Sequence, residues 1–187
     1  RWVIRNAFAI IARQRAEKES TPGIFAINLS GASIGDERFL DYVREQFVHF
    51  SVSPQSICFE ITETAAIAKL DKATEFINQL RSLGCLFSLD DFGAGMSSFA
   101  YLKHLPVDFL KIDGGFVKDM ADDPIDRAMV EAINSVGHVM GKKTIAEFVD
   151  GDRVIAMLRE MGVDFAQGYG VAKPRPFGPR LRVAATG

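Results

Sequence analysis

The sequence is poor in cysteine, and its charges are nearly balanced. The two cysteines among its 187 residues, Cys58 and Cys85, form no CxxC pair. This excludes a dense disulfide framework and favours two buried, reduced thiols in a cytosolic protein. The formal net charge is −2, and no run of lysine or arginine occurs. Proteins that bind nucleic acid polymers or anionic membrane surfaces carry basic patches, so neither class of partner is expected.

Long apolar runs are also missing. No stretch approaches the roughly 20 apolar residues that a membrane-spanning helix requires, and no signal peptide is recognisable. We therefore expect a cytoplasmic domain without direct membrane contact, within a parent protein that can itself be membrane-anchored. The sequence starts without methionine and directly in a helix-like segment, which suggests that it is part of a longer protein.

What the sequence does contain is the alternation of an α/β domain, with 48% hydrophobic and 25% charged residues. Segments with one apolar helical face cover residues 2–15, 37–50, 71–83, 125–140 and 152–161. Between them, short apolar runs are typical of parallel strands buried on both faces; they cover residues 25–27, 57–59, 86–89, 109–110, 144–146 and 164–166. Three helical segments are followed by a glycine that supplies a left-handed cap, at Gly84, Gly141 and Gly162. The pattern predicts a doubly wound sheet or a barrel, with six strands where a complete barrel has about eight.

A polar residue stands at the end of every predicted strand. These residues are Asn28, Glu60, the pair Asp90 and Asp91, Lys111 followed by Asp113, Glu147 and Gln167. In parallel α/β folds the carboxyl ends of the strands share one face, where active sites are built. A single polar residue at a strand end means little, because loops begin there. A polar ending on every strand, with several carboxylates, favours a functional site.

Several carboxylates in one pocket need a positive partner, or some of them stay protonated. Carboxylate and amide oxygens suit Mg²⁺ or Mn²⁺, whereas none of the three histidines ends a strand, so a zinc site is not expected. Two such cations bridged by an aspartate are a common device for phosphodiester hydrolysis. A lysine among these acids is expected to stay charged and to contact phosphate or the attacking water.

Five motifs in order resemble the EAL domain, a family of bacterial cyclic di-GMP phosphodiesterases. They are NLS (28–30), EITE (60–63), DDFGAGMSSFAYLKHLPVDFLKID (90–113), IAEFVD (145–150) and QGYGVAKP (167–174). The resemblance covers nearly the whole chain. It implies a modified TIM (β/α)8 barrel, here lacking its first strands, that linearises cyclic di-GMP to pGpG with two Mg²⁺ or Mn²⁺ ions. We assign residues 1–175 to this domain and residues 176–187 to an irregular tail.

The resemblance also implies roles for the site residues. Asn28, Glu60 and Asp90 resemble the ligands of one metal, and Asp90 bridges to a second metal held by Asp91 and Glu147. Lys111 resembles the lysine that orients or deprotonates the attacking water, so Lys111 and Glu147 are the expected catalytic residues. Gln167, Asp113 and Glu63 are expected to support the site or bind substrate, with Glu63 bracing the loop after the aspartate pair.

The chain departs from the family pattern in three places. Phe148, Val149 and Asp150 stand where the family has Gly-Val-Glu, beyond the ligand Glu147, and we expect little effect. Ala94 and Met96 replace a common Thr and Tyr, which is a mild change. No Glu-Ala-Leu motif occurs in the 187 residues, although the family carries it on its first strand as a further metal ligand. We interpret the chain as an excerpt of a complete domain.

Two functions remain open at this point. The first is a phosphodiesterase in bacterial signal transduction, expected as a homodimer and fused to sensor or GGDEF domains. The second is a receptor that holds cyclic di-GMP without cleaving it, and an intact upstream Glu-Ala-Leu motif would favour the enzyme. An aldolase-like use of Lys111 is disfavoured, because neighbouring acids raise a lysine pKa.

Overall fold

Six short strands form one parallel sheet in the computed structural model, which describes residues 1–16, 23–95 and 99–176. The strands are β1 (Phe25–Asn28), β2 (Ile57–Thr62), β3 (Leu86–Phe92), β4 (Phe109–Ile112), β5 (Lys143–Ala146) and β6 (Phe165–Ala166). Their spatial order is the order of the sequence, and every pair is parallel. A doubly wound sheet reverses its strand order at one point, whereas a barrel does not. The α/β prediction is confirmed, and the strand order favours the barrel.

Helices connect successive strands, as parallel pairing requires. They are α1 (Trp2–Ala16), α2 (Glu37–Phe50), α3 (Glu63–Ala68), α4 (Leu70–Arg81), α5 (Phe99–Leu102), α6 (Gly114–Asp119), α7 (Pro124–Val139) and α8 (Asp152–Glu160). The five long helices match the predicted segments to within about two residues at each end. Helices α3, α5 and α6 were not predicted, because helices of four to six residues are too short to show a period.

Local sequence signals fix several helix ends. The Asp36 carboxylate accepts hydrogen bonds from the backbone of Arg38 and Phe39 at the start of α2, and Asp123 caps α7 in the same way ahead of Pro124. The three predicted glycines after α4, α7 and α8 all have positive φ, at +104°, +69° and +73°. Each glycine therefore turns the chain back towards the next strand, as predicted.

The two faces of each strand have different surroundings, because successive side chains point to opposite sides. On β2 and β3, Phe59 and Phe87 are fully buried with ring centroids 5.7 Å apart, and Phe76 of α4 meets the Phe87 ring edge-on. Fully burying such a ring stabilises the fold by about 1.5–3 kcal/mol. The opposite face of the same strands carries Glu60 and Ser88, which are partners in the strand register. The helix-facing core thus holds in place a second, polar face.

Among residues 1–16, 23–95 and 99–176, none of the helices has the length and apolarity needed to cross a bilayer. Of the predicted tail, only Pro176 belongs to the described part of the chain, and it is exposed. Residues 177–187 and Met96 lie outside the described residues.

Candidate active site

A buried lysine joins acidic side chains from three neighbouring segments of the sheet. The Lys111 ammonium on β4 contacts the carboxylates of Asp90 on β3 at 2.6 Å, Glu147 after β5 at 2.7 Å and Glu60 on β2 at 3.4 Å. The Lys111 side chain is only 4% exposed. We call Glu60, Asp90, Asp91, Lys111 and Glu147 the acid–lysine cluster. The structure thus brings together five of the polar residues that were predicted at the strand ends.

The aspartate pair lies within β3, not after its end as the sequence analysis predicted. Leu89 pairs with Leu110 and Phe92 pairs with Ile112, so two residues of β3 stand opposite Lys111 alone. This is a β-bulge, in which one strand holds an extra residue. Asp91 takes a left-handed φ of +54° there, a conformation that aspartate tolerates better than most residues.

The bulge allows the side chains of two neighbouring residues to reach one site. In a regular strand two neighbouring side chains face opposite sides of the sheet, so Asp90 and Asp91 could not serve one site. Here carboxylate oxygens of Asp90, Asp91 and Glu147 all lie within 4.8 Å of one another. The three residues therefore form an acidic cluster that could hold a metal ion. The strand ends of β2 and β4 also differ from prediction, since Glu60 and Lys111 are internal to their strands.

Burial and mutual repulsion affect the ionisation of the cluster. Burial raises the pKa of Glu60 and of Glu147 above the ordinary value, and Lys111 offsets this only in part. The pKa of Asp91 is raised by burial and then by the charges of Asp90 and Asp113. Burial alone would lower the pKa of Lys111, yet its hydrogen bonds to Asp90 and Glu147 raise it overall. One ammonium group cannot balance four carboxylates, so the cluster favours a further cation.

The remaining predicted residues, Asn28, Asp113 and Gln167, lie at or directly after the ends of strands β1, β4 and β6. Asn28 ends β1 and is the register partner of Glu60 on β2. Gln167 follows β6, and its backbone N–H donates to the Ala146 carbonyl at 2.8 Å, which places it beside Glu147. Asp113 caps α6 by accepting a hydrogen bond from the Gly115 N–H at 2.9 Å. All three lie where the sequence analysis expected them, at the carboxyl ends of the strands.

A cavity of about 770 Å³ opens beside the cluster. Asp91, Asp113, Glu147 and Gln167 form part of its wall, together with the aromatic side chains of Phe148 and Tyr169. Neither ring was predicted as part of the site. Their position next to Glu147 and two residues after Gln167 was the available signal, since neighbours of a site residue often line the same opening. The cavity gives a ligand access to the acidic side chains.

Glu63 fastens the loop that follows the aspartate pair. One carboxylate oxygen accepts a hydrogen bond from the Gly93 N–H at 3.1 Å, and the other accepts one from the Tyr101 hydroxyl on α5. Burial and the adjacent Glu63 carboxylate raise the pKa of Tyr101, so the phenol stays a donor. Glu63 thus ties the start of α3 to the chain on both sides of the segment after β3. Tyr101 was not anticipated, because nothing local in the sequence pairs it with Glu63.

The Tyr101→Phe substitution tests this fastening. It removes one hydrogen bond to a buried carboxylate while keeping the ring, and such bonds contribute about 1.5–3 kcal/mol. We expect the free energy of unfolding to fall by about that amount in denaturant titrations. Tyr42→Phe is the matched control, since the Tyr42 hydroxyl donates to the Arg1 carbonyl at the surface, and we expect a change within about 0.5 kcal/mol. Equal effects of the two substitutions would argue against a fastening role for Tyr101.

The three histidines lie elsewhere in the fold. His138 of α7 bonds Asp164 at 2.8 Å, and Asp164 also accepts from the Thr144 N–H at the start of β5, the end of the strand away from Glu147. His49 lies edge-on to the Phe50 ring at the end of α2. His104 lies in the turn between α5 and β4.

Comparison with known proteins identifies relatives along nearly the whole chain. A family model described as the EAL domain matches residues 1–174. The chain is 47% identical over 151 residues to the cyclic di-GMP phosphodiesterase PdeB of Shewanella oneidensis, covering 81% of this chain and 18% of that protein. It is 35% identical over 153 residues to the cyclic di-GMP phosphodiesterase PdeA of Borreliella burgdorferi, covering 82% of this chain and 23% of that protein. The chain therefore spans less than a quarter of these curated relatives.

Solved structures show the same fold. The PaMucR phosphodiesterase in complex with c-di-GMP superposes with a TM-score of 0.87 at 32% identity, over 94% of this chain and 70% of that one. The EAL domain of Mycobacterium smegmatis DcpA gives 0.87 at 31% identity, over 94% and 79%. The FimX EAL domain from Pseudomonas aeruginosa bound to c-di-GMP gives 0.84 at 29% identity, over 92% and 68%.

Proposed function

The chain belongs to the EAL domain family, and from this premise we propose that it is the catalytic part of a metal-dependent phosphodiesterase that hydrolyses cyclic di-GMP to pGpG. The recognition of the family from its motifs is confirmed, and so is its barrel-type α/β fold. The observation that carries the proposal is the acid–lysine cluster, in which Lys111 joins Asp90, Glu147 and Glu60 beside an open cavity. Residues 1–175 form the proposed domain.

The donor set fits divalent cations. Every candidate ligand is an oxygen donor, as Mg²⁺ and Mn²⁺ prefer, and three carboxylate oxygens already converge within 4.8 Å. We propose that Asn28, Glu60 and Asp90 hold one cation, and that Asp91 and Glu147 hold a second with Asp90 as the bridge. The chemistry that such cations supply is activation of water and stabilisation of the leaving oxygen.

The protein's own contribution is to place charge and protons. Lys111 is held charged by its acidic neighbours, so it acts by donating hydrogen bonds to the attacking water or to a phosphate oxygen. The raised pKa of Lys111 supports orientation of the water rather than its deprotonation. Glu147 is the second catalytic residue, because its carboxylate contacts Lys111, belongs to the acidic cluster and lines the cavity.

The surrounding residues support this arrangement. Glu63 fixes the loop after the aspartate pair, and Asp113 and Gln167 form the cavity wall where substrate would enter. We also propose a cytoplasmic, homodimeric protein in signal transduction, fused to sensor or GGDEF domains. The last expectation is supported by the 36% identity over 151 residues to MucR of Pseudomonas aeruginosa, a bifunctional diguanylate cyclase/cyclic di-GMP phosphodiesterase.

A hydrolysis assay on the full-length protein tests the function. With Mg²⁺ or Mn²⁺ we expect cyclic di-GMP to be converted to pGpG, and excess EDTA should stop the reaction. The same cations should raise the melting temperature, since a ligand at about 100 times its Kd stabilises a fold by about 2.7 kcal/mol. Chromatography and a thermal melt are the two measurements.

The alternative, a cyclic di-GMP receptor, is kept because no Glu-Ala-Leu motif lies within these 187 residues. Binding of cyclic di-GMP without any pGpG would favour that receptor. If the full-length protein neither binds nor cleaves cyclic di-GMP, both functions are wrong.

A further inference from the structure

Phe148 adopts a backbone conformation that a bulky residue rarely takes. Its φ is +52°, in the left-handed region, and only Ser51 and Asp91 share a positive φ among the described non-glycine residues. Ser51 ends helix α2, where this conformation is usual, and Asp91 forms the bulge of the acid–lysine cluster. Phe148 caps no described helix, since the helix that follows it, α8, has its N-cap at Gly151. Strained residues of this kind cluster at active sites and ligand clamps.

The conformation of Phe148 does not serve the core. The residue is 68% exposed, so little of its ring is removed from water. Glycine would adopt this φ without strain. Neither hydrophobic burial nor backbone preference therefore accounts for a phenylalanine at this position.

The ring is nevertheless held firmly on one side. A Cβ atom added to Gly114, the first residue of α6, would lie 2.1 Å from Cδ2 and 2.6 Å from Cγ of Phe148. The ring thus packs directly on the bare backbone of Gly114, a position that only glycine allows. A ring packed on one side and largely exposed to water is suited to receive a flat ligand.

The exposed Phe148 ring also lies beside the acid–lysine cluster. Phe148 lines the same cavity as Asp91 and Glu147, and it directly follows Glu147 in the sequence. Tyr169, which is 69% exposed, contributes a second ring to this wall. A nucleotide with its phosphate at the acid–lysine cluster could therefore reach Phe148 with its base.

We propose that Phe148 is a specificity-determining residue that stacks against a nucleobase of the substrate. The inference rests on the proposed function for the identity of the substrate, a cyclic dinucleotide. Aromatic rings bind bases through their faces, and one stacked base changes affinity by a factor of about ten or more. The strained backbone at Phe148 turns the ring into the cavity, and Gly114 supports it from behind.

Steady-state kinetics of the full-length protein test the stacking. Phe148→Leu keeps an apolar side chain but removes the ring, so we expect KM for cyclic di-GMP to rise about tenfold, equivalent to about 1.4 kcal/mol, with kcat within about twofold. Phe148→Trp keeps a ring and should leave KM within about threefold. Trp2→Leu is the matched control, because Trp2 is an exposed ring on α1 outside the cavity wall, and it should leave KM unchanged.

A second pair of variants separates stacking from strain. Phe148→Gly and Ser51→Gly both relieve a left-handed residue, so both should raise the melting temperature by a few degrees. Only Phe148→Gly should also raise KM. If Phe148→Gly changes the melting temperature alone, or if Phe148→Leu leaves KM unchanged while turnover persists, the inference is wrong and the proposed function stands.

A binding measurement keeps the inference independent of turnover. In a Trp2→Phe background, the indole introduced by Phe148→Trp is the sole tryptophan in this chain, and stacking of a guanine base should quench its fluorescence. Cyclic di-GMP and GMP are the probes, each with and without Mg²⁺. If the wild-type protein does not cleave cyclic di-GMP, quenching by either probe would still support the stacking role, whereas the hydrolase would be overturned. If neither probe quenches the fluorescence, the stacking role is overturned.

Discussion

Asp90→Asn is expected to lower pGpG formation by more than about 100-fold. Substitution of the outer partners of metal ligands costs about 10 to 100-fold in metal affinity or activity, and Asp90 is proposed to bridge both cations. Its carboxylate also makes the 2.6 Å contact to Lys111, so the amide would weaken the hold on this lysine. Rates measured by chromatography with saturating Mg²⁺ and Mn²⁺ provide the test, and Glu60→Ala should act in the same direction.

The control for Asp90 is Asp122→Asn. Asp122 pairs with Arg153 at 2.7 Å on the exposed surface, where such pairs contribute about 0–1 kcal/mol. This variant should retain wild-type turnover. A folded Asp90→Asn protein that still forms pGpG at more than a tenth of the wild-type rate would contradict the two-cation assignment.

Lys111→Met is expected to damage both stability and turnover. Methionine keeps much of the side-chain volume but leaves Asp90, Glu147 and Glu60 without their ammonium partner. Removing one partner of a buried ion pair costs about 3–5 kcal/mol, because the remaining charge is uncompensated. We expect the free energy of unfolding in EDTA to fall by about this amount. Turnover should fall by about 100-fold or more, as for loss of a preorganised hydrogen-bond donor.

Divalent cations separate the two effects of Lys111→Met. Mg²⁺ supplies positive charge to the same carboxylates and should restore much of the lost stability, whereas it cannot replace the hydrogen bonds of the ammonium group. Lys142→Met is the matched control, since Lys142 is also partly buried and donates to the Leu105 and Val107 carbonyls near the amino end of β4. It should lose stability without losing turnover. A Lys111→Met protein that loses stability but keeps full turnover would show that Lys111 is purely structural.

The placement of the site was accessible from the sequence because strand direction is regular. A polar residue at the end of each apolar run was enough to predict that Glu60, Asp90, Lys111 and Glu147 converge, and the structure brings them together. The choice between a barrel and a doubly wound sheet was not accessible from periodicity, and only the family resemblance supplied it. It depends on which strands pair in space, and helical or strand periodicity contains no such information.

Two details of the site depend on tertiary geometry alone. The bulge that sets Asp90 and Asp91 opposite Lys111 arises from the pairing of β3 with β4, which the local sequence does not specify. Phe148 seemed a harmless departure from the family pattern, because its left-handed φ and its contact with Gly114 appear only in three dimensions. The bond between Tyr101 and Glu63 likewise joins residues far apart in the chain.

The distribution of the acid–lysine cluster over β2, β3, β4 and the end of β5 also bears on folding kinetics. Apart from the adjacent Asp90 and Asp91, each member is separated from the next by a connecting helical segment, so the carboxylates meet only after several long-range strand pairings have formed. Such non-local pairings are slow to form. A cation bound by the proposed ligands would therefore find them together only in nearly native states. We expect such a cation to slow unfolding and to accelerate refolding little.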